Sequence, residues 1–315
     1  MTTVTGGGNN VKIVIPELRI VIPAYNEESS VGDVIDRTKK ACRDAEIIVV
    51  DDGSTDNTAA IARQRKVKVI SNQSNYGYGR ALKIGFNYKT EYIKYFAFLD
   101  ADNTYPPEKI PELYTICKEK EIDIVVGSRF LGENKGMPVI RKIGNWFFAL
   151  IVSLYTGKTI TDAGSGMRVF KALLLPEFMD LPDGLSFTPG MTAMVLHTGR
   201  NYQEIPIEYH ERAGESKLSA LKDGYRFFTV ILTTVKNHRP IAFFGTIGIP
   251  FFVGGVLLGF YSVGRWLTGS LSIPLLLLTS LLIMIGTFIL MFGLIADMIV
   301  DLRRVVERME RKRAE

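Results

Sequence analysis

A chain of 315 residues, 47% hydrophobic and 23% charged, has material for one sizeable α/β domain and an added module, not for two full domains. Its net charge of +5 and pI near 9.0 suit a polyanionic ligand or an anionic membrane surface; with no basic stripe interleaved with stacking aromatics, they argue against nucleic acid as a partner. The two cysteines, Cys42 and Cys117, lack the short spacing of a zinc or redox site and read as buried or idle thiols in a reducing compartment.

Residues 1–10 are polar and Gly-rich, with no apolar signal-peptide core; a flexible N-terminal segment over 1–16 and a cytosolic bulk of the chain are expected. Three β-branched runs follow, Leu18–Ile22, Glu46–Val50 and Val67–Ile70, alternating with stretches of helical period. That alternation predicts βαβ units and a mostly parallel sheet. A fourth run, Tyr95–Leu99, ends on an aspartate, Ile122–Gly127 reads as a fifth strand, and Tyr202–Tyr209 as a late strand returning polar residues to the same rim. Ligands of open α/β sheets bind beyond the carboxyl ends of the strands, so the residues after each run are the candidate chemistry.

Two apolar stretches, Trp146–Tyr155 and Phe227–Val235, are too short to span a bilayer and have basic flanks, which fits helices lying at an interface; ordinary core helices fit as well. After Pro240 the composition changes. Ile241–Gly264 and Ile273–Ala296 hold no charged residue and each is long enough to cross a membrane. Lys236 and Arg239 stand before the pair, Arg303, Arg304, Arg308, Arg311, Lys312 and Arg313 after it, and the turn carries only Arg265. The expectation is a multi-pass hairpin with the catalytic domain and both termini cytosolic. The organisation is then 17–239 as the α/β domain, 240–300 as two transmembrane helices and 301–315 as a basic tail.

The motifs lie at the strand ends. Residues 23–28 (Pro-Ala-Tyr-Asn-Glu-Glu) and 51–56 (Asp-Asp-Gly-Ser-Thr-Asp) each break into a turn and start a helix. Together they suit a nucleoside, with a tyrosine face for the base and carboxylates for base N–H and ribose hydroxyls; singly, Ser54 or Asp56 need only cap a helix. The Asn75–Ala81 loop carries glycines that allow a ligand near the backbone. At the fourth strand end, alternation points Asp100 and Asp102 the same way, and two such carboxylates suit Mg²⁺ or Mn²⁺ completed by diphosphate oxygens and water. An Asx turn into Pro106-Pro107 is the simpler alternative.

Residues from about Leu18 to Asn237 resemble the polyprenyl-phosphate glycosyltransferases of glycosyltransferase family 2, the group containing dolichol-phosphate mannose synthases and their glucosyl relatives. The match rests on seven motifs in order: residues 22–28, 50–56, the 75–81 loop, Asp100-Ala-Asp102, Gly127-Ser-Arg129, residues 162–168 (Asp-Ala-Gly-Ser-Gly-Met-Arg) and residues 211–217 (Glu-Arg-Ala-Gly-Glu-Ser-Lys). The resemblance implies a GT-A fold, a nucleotide-diphospho-sugar donor, a divalent cation on Asp100 and Asp102, and a lipid phosphate acceptor. By position, Pro23, Tyr25, Glu27 and Asp52 match nucleoside contacts, Asp100 and Asp102 donor and metal contacts, and Arg212 and Lys217 the basic loop over the diphosphate. Arg129 matches a residue that grips the acceptor phosphate, and Arg141 a second.

Thr104 stands where many relatives carry glutamine and is a weaker ligand. In 162–168, Met167 replaces an aromatic residue, and the stretch reads either as a helix start capped by Asp162 or Ser165 or as part of the acceptor side. The implied reaction is an inverting transfer of one hexose, mannose from GDP-mannose or glucose from UDP-glucose, to a dolichyl or undecaprenyl phosphate, with Asp102, Arg129 and Arg212 as catalytic residues. A phosphate nucleophile needs no strong base, and His197, His210 and His238 form no triad or ligand set. A processive polysaccharide synthase would carry Gln-x-x-Arg-Trp, and Arg265-Trp266 lacks that glutamine. A non-catalytic nucleotide-sugar binder would be expected to have lost one of Asp100, Asp102, Arg129 or Arg212.

Overall fold

The computed structural model describes residues 16–89, 92–132, 142, 144–146, 149–150, 152–153, 157–210, 240–270 and 272–314. Residues 1–15, Arg141, the loop with Arg212 and Lys217, and the expected interfacial stretch 227–235 lie outside the described residues. The chain divides into two compact units, Met1–Phe228 and Thr229–Glu315.

In the first unit the β-branched runs form β1 (Leu18–Ala24), β2 (Glu46–Asp51) and β3 (Lys68–Ser71), separated by α1 (Val31–Ala41) and α2 (Thr58–Gln64). Next come α3 (Tyr78–Phe86), β4 (Tyr95–Phe98), α4 (Ile110–Glu119), β5 (Ile124–Ser128), β6 (Arg168–Lys171), α5 (Leu175–Met179), α6 (Phe187–His197) and β7 (Tyr202–Pro206). The seven strands make one sheet in the order β3-β2-β1-β4-β6-β5-β7. All seven residues of β1 are buried because helices cover both faces. Ile20, Ile22, Val49 and Leu99 face α1 and α4 through Val34, Ile35 and Leu113. Val21, Val50, Phe96 and Phe98 face the other layer through Leu82, Phe86, Phe187 and Met191.

The parallel sheet of the sequence reading is present with one reversal. Strand β6 runs antiparallel to both β4 and β5 and separates them. The 162–168 stretch is therefore no helix start: it leads into a strand, and the Ser165 hydroxyl donates to the Gly127 carbonyl on β5 at 2.6 Å instead of capping a helix. Four residues that follow Gly164 and Gly166 and begin with a buried arginine carry too little β-pattern to announce a strand. Because β6 starts where its neighbours end, loop 162–167 lies on the rim formed by the carboxyl ends of β1, β2, β4 and β5. Order reverses across β1 and β4, placing the switch-point crevice there.

Of the expected Trp146–Tyr155 helix, residues 146, 149–150 and 152–153 are described and helical. Ala149 and Val152 join a small core with Ile160, Ala163 and Leu196, while Trp146 and Leu150 are exposed. In the second unit, α7 (Pro240–Leu267) and α8 (Ile273–Ala314) contain the two apolar stretches, Phe243–Leu267 and Ile273–Val300, each long enough to cross a membrane. Both are mostly unburied, unlike core helices of a soluble protein. Gly248, Gly255, Gly286 and Gly293 let the helices touch closely; a Cβ on Gly286 would lie 2.5 Å from the Phe252 backbone nitrogen. Helix α8 runs on past its apolar part, so 301–314 continue it.

Candidate active site

At the ends of β1 and β2 two loops hold each other. Asn26, at φ +52°, donates its N–H to the Ser54 hydroxyl at 2.9 Å and accepts the Thr55 N–H at 2.7 Å. Glu28 accepts from the Asn57 backbone and side chain at 3.0 Å each, and the Glu27 N–H reaches the Thr58 hydroxyl at 2.7 Å. The expected nucleoside residues are thus gathered: Pro23 and Glu27 are buried, and Tyr25 is half-buried.

Asp52 is buried, and its carboxylate accepts from the Asn72 side chain at 2.8 Å and from the backbone N–H groups of Tyr76 and Gly77 at 3.0 and 2.8 Å. It fixes the Gly-rich loop. The glycines of that loop serve protein packing: a Cβ on Gly77, at φ +106°, would lie 2.7 Å from the Asp183 carbonyl oxygen, and one on Gly79 would lie 2.8 Å from Phe187 Cβ. The side on which those glycines lack a Cβ is occupied by residues 182–187, so close protein packing by itself accounts for both glycines.

Strand β4 ends at Phe98, so Asp100 and Asp102 stand in the turn beyond it and not on the strand. The alternation survives by packing. Leu99 and Ala101 enter the core, leaving Asp100 and Asp102 half-buried on the other side. Asp102 Oδ1 accepts from the Thr104 hydroxyl at 2.6 Å and its N–H at 3.2 Å, an Asx turn followed by Asn103 at φ +63°. Thr104 is buried, and its hydroxyl is donated to Asp102. The Tyr78 hydroxyl donates to Asp100 Oδ1 at 2.6 Å. Burial first, and then the Asp100 charge, hold the Tyr78 pKa well above its usual value, so the phenol remains the donor.

Gly166 packs its Cα side directly on the Asp100 carboxylate, where a Cβ would lie 2.7 Å from Cγ. Its N–H donates to the buried Tyr105 hydroxyl at 2.8 Å. Four residues earlier in the same loop, the fully buried Asp162 forks Arg129: Nε to Oδ2 at 2.7 Å, Nη2 to Oδ1 at 2.7 Å, and the Arg129 N–H to Oδ2 at 3.0 Å. The guanidinium lies 5.6–6.0 Å from the ring centres of Tyr105, Phe130 and Tyr209. Burial works against its charge, but Asp162 together with Tyr105 and Tyr209 outweighs it and holds the Arg129 pKa well above its usual value. Arg168 anchors the loop's end, with Nε on the Ser165 carbonyl at 3.0 Å, Nη2 on the Ala163 carbonyl at 2.7 Å and Nη1 on the Thr192 hydroxyl at 2.8 Å.

The matching family description is "Glycosyl transferase family 2", over residues 19–176. The chain belongs to glycosyltransferase family 2. A low-salt glycan biosynthesis hexosyltransferase of Haloferax volcanii, Agl6, is 33% identical over 78% of this chain, and the match spans only 59% of that relative's length. A dolichyl-phosphate hexose transferase of the same organism is 32% identical over 66% of this chain and 89% of its own. Among solved structures, glucosyl-3-phosphoglycerate synthase of Mycobacterium tuberculosis, in complex with Mn²⁺, UDP and phosphoglyceric acid, aligns with a TM-score of 0.56 at 20% identity. That alignment covers 70% of this chain and 78% of the synthase and shows a shared GT-A fold.

Within this family 2 domain, Asp100 and Asp102 are of the chemistry that fits a divalent cation. Asp100 and Asp102 are hard oxygen donors on one turn, and no group of three or more His, Cys, Asp or Glu gathers among the described residues. The sequence reading singles out Asp100, Asp102, Asp52 and Arg129 and does not reach the groups that surround two of them: Tyr78 and Gly166 at Asp100, and Tyr105 beside Arg129. Tyr78 and Gly166 lie inside motifs already singled out, so a signal existed, but only the fold shows that both converge on Asp100.

Proposed function

We propose that this chain transfers a single hexose from a nucleotide-sugar, GDP-mannose or UDP-glucose, to a polyprenyl phosphate with inversion. The observation that carries the reading is the double role of loop 162–168: Gly166 lies on Asp100, and Asp162 holds Arg129. One piece of chain thereby joins the metal-and-donor turn to a fixed cation suited to a phosphate. The dolichyl-phosphate hexose transferase relative supports that acceptor class and sugar class.

In this reading Pro23, Tyr25, Glu27 and Asp52 receive the nucleoside, and Asp100 and Asp102 hold Mg²⁺ or Mn²⁺. The cation, when bound, neutralises charge on the donor diphosphate. Arg129 and Arg141 orient the acceptor phosphate so that one of its oxygens bonds to the anomeric carbon as the bond from that carbon to the diphosphate breaks. Arg212 and Lys217 stabilise the departing nucleoside diphosphate. The acceptor is already anionic at pH 7, so positioning and charge carry the rate without a strong base.

The domain limits 17–239, 240–300 and 301–315 belong to this proposal. So does a hairpin crossing the bilayer with both ends cytosolic, motivated by the basic flanks of α7 and α8. Labelling of a Ser270→Cys variant from the cytosolic side alone would contradict it. The function is tested by giving purified protein a panel of nucleotide-sugars, a short polyprenyl phosphate and Mn²⁺, then analysing the lipid. The expected product is a lipid-linked monosaccharide; polymer, or no lipid product from any pair, overturns the reading.

A further inference from the structure

Glu204 is an acid on β7, paired in register with Val126 of β5, and no described Lys or Arg forms an ion pair with it. Its charge is met by dipoles from residues 161–162 and from Tyr202 on its own strand. Oε2 accepts the Thr161 N–H at 2.9 Å and the Thr161 hydroxyl at 2.6 Å, while Oε1 accepts the Asp162 N–H at 3.0 Å and the Tyr202 hydroxyl at 2.8 Å. The Thr161 hydroxyl also meets the Ser128 hydroxyl at 2.6 Å, one residue before Arg129. A partly buried carboxylate is costly unless such bonds are made, and these bonds pin two successive residues of the rim loop.

The second of those residues is Asp162, whose carboxylate forks Arg129. The fork commits Nε and one Nη2 hydrogen, so the plane of the guanidinium, and with it the direction of Nη1, follows the position of Asp162. Rings on Tyr105, Phe130 and Tyr209 limit any other placement. We infer that Glu204 is a positioning residue for the transfer: by fixing Thr161 and Asp162 it aims Arg129 at the acceptor phosphate. The inference rests on the proposed function, in which Arg129 meets that phosphate. It adds a residue on the far strand of the sheet that touches neither substrate.

The test is a double-mutant cycle on the full-length protein with Glu204→Gln, Arg129→Lys and both. Acceptor KM for a short polyprenyl phosphate, kcat, nucleotide Kd and the thermal midpoint are read for each. Glu204→Gln is expected to raise acceptor KM about tenfold, Arg129→Lys between about ten- and a hundredfold, and the pair no more than Arg129→Lys alone, with nucleotide Kd unchanged. A merely structural role would lower the thermal midpoint and leave acceptor KM in place, which overturns the inference; so would effects that multiply. If Glu204→Gln fails to fold, Thr161→Val, which removes one donor to Glu204, takes its place with the same expected pattern at smaller amplitude. If Arg129→Lys moves nucleotide Kd and not acceptor KM, the acceptor reading falls. The positioning role of Glu204 then stands on non-additivity in nucleotide Kd and falls on additivity. If Arg129→Lys moves neither, both fall.

Discussion

Between β1 and β3 the rim is laced by polar side chains bonding across loops, Asn26 to Ser54 and Thr55, Glu28 to Asn57, Asp52 to Tyr76 and Gly77. Between β5 and β7 it is built on charge: Asp162 with Arg129, Glu204 on two backbone N–H groups, and Arg168 buried among carbonyls. Apart from the buried Asp52 carboxylate, the first half spreads its support over many modest bonds, each replaceable at small cost. The second concentrates it in a few groups whose loss leaves a charge uncompensated. A nucleoside offers many neutral contacts and an acceptor phosphate offers charge, so in the proposed reaction each half matches its ligand.

The Asp100–Asn103 turn sits on β4, between the halves, and a change there should damage what both serve. Asp102→Asn keeps an Oδ1 acceptor for Thr104 and so should leave the turn and the thermal midpoint intact. Transfer should nevertheless fall at least about a hundredfold, since in the proposed site a neutral amide holds the divalent cation more weakly than the carboxylate does. A radiolabelled transfer assay beside a melting curve checks this. Wild-type rates with Mn²⁺ present would remove the metal assignment and leave the turn as packing alone.

The first half was legible in the sequence because parallel strands end in motifs, and β1, β2 and β4 are continuous runs of buried residues that declare themselves. Asp100 and Asp102 were also found, though through the wrong local geometry: burial of Leu99 and Ala101, not strand pleating, turns both outward. The second half was hidden because β6 is four residues long, begins with an arginine, and runs against its neighbours. Without β6, nothing in the sequence places Asp162 beside Arg129 or Gly166 on Asp100. Glu204 was hidden for a related reason: the late strand reads as returning polar residues to the rim, but only its four donors single out this acid.

If charge holds the second half, Asp162→Ala should destabilise strongly. It removes the partner of the Arg129 guanidinium, a side chain only 16% exposed, and the acceptor for two backbone N–H groups besides, those of Arg129 and Gly164. Loss of one member of a buried pair suggests a cost of about 3 kcal/mol. Urea unfolding of the wild type and the variant measures it. A loss below about 1 kcal/mol would mean that Arg129 finds water as easily as its partner, and the contrast between the halves would lose its energetic basis.

The matching change in the first half is Ser54→Ala, and its expected effect is the smallest. Ser54 accepts the Asn26 N–H, and Asn26 keeps its side-chain bonds to Thr55 when that hydroxyl is gone. Asn26 is also held at φ +52°, a conformation asparagine tolerates better than most residues, so the loop has little reason to rearrange. Its N–H lies on a part-buried loop where water can replace the lost acceptor. The loss should then be that of one ordinary hydrogen bond, about 1 kcal/mol, read by the same urea experiment. Nucleotide Kd should rise by about a few fold as Tyr25 and Glu27 gain freedom, while acceptor KM stays unchanged. A Ser54→Ala variant that lost as much stability as Asp162→Ala, or that moved acceptor KM, would show that the two halves are one cooperative network and that dividing the rim between donor and acceptor is wrong.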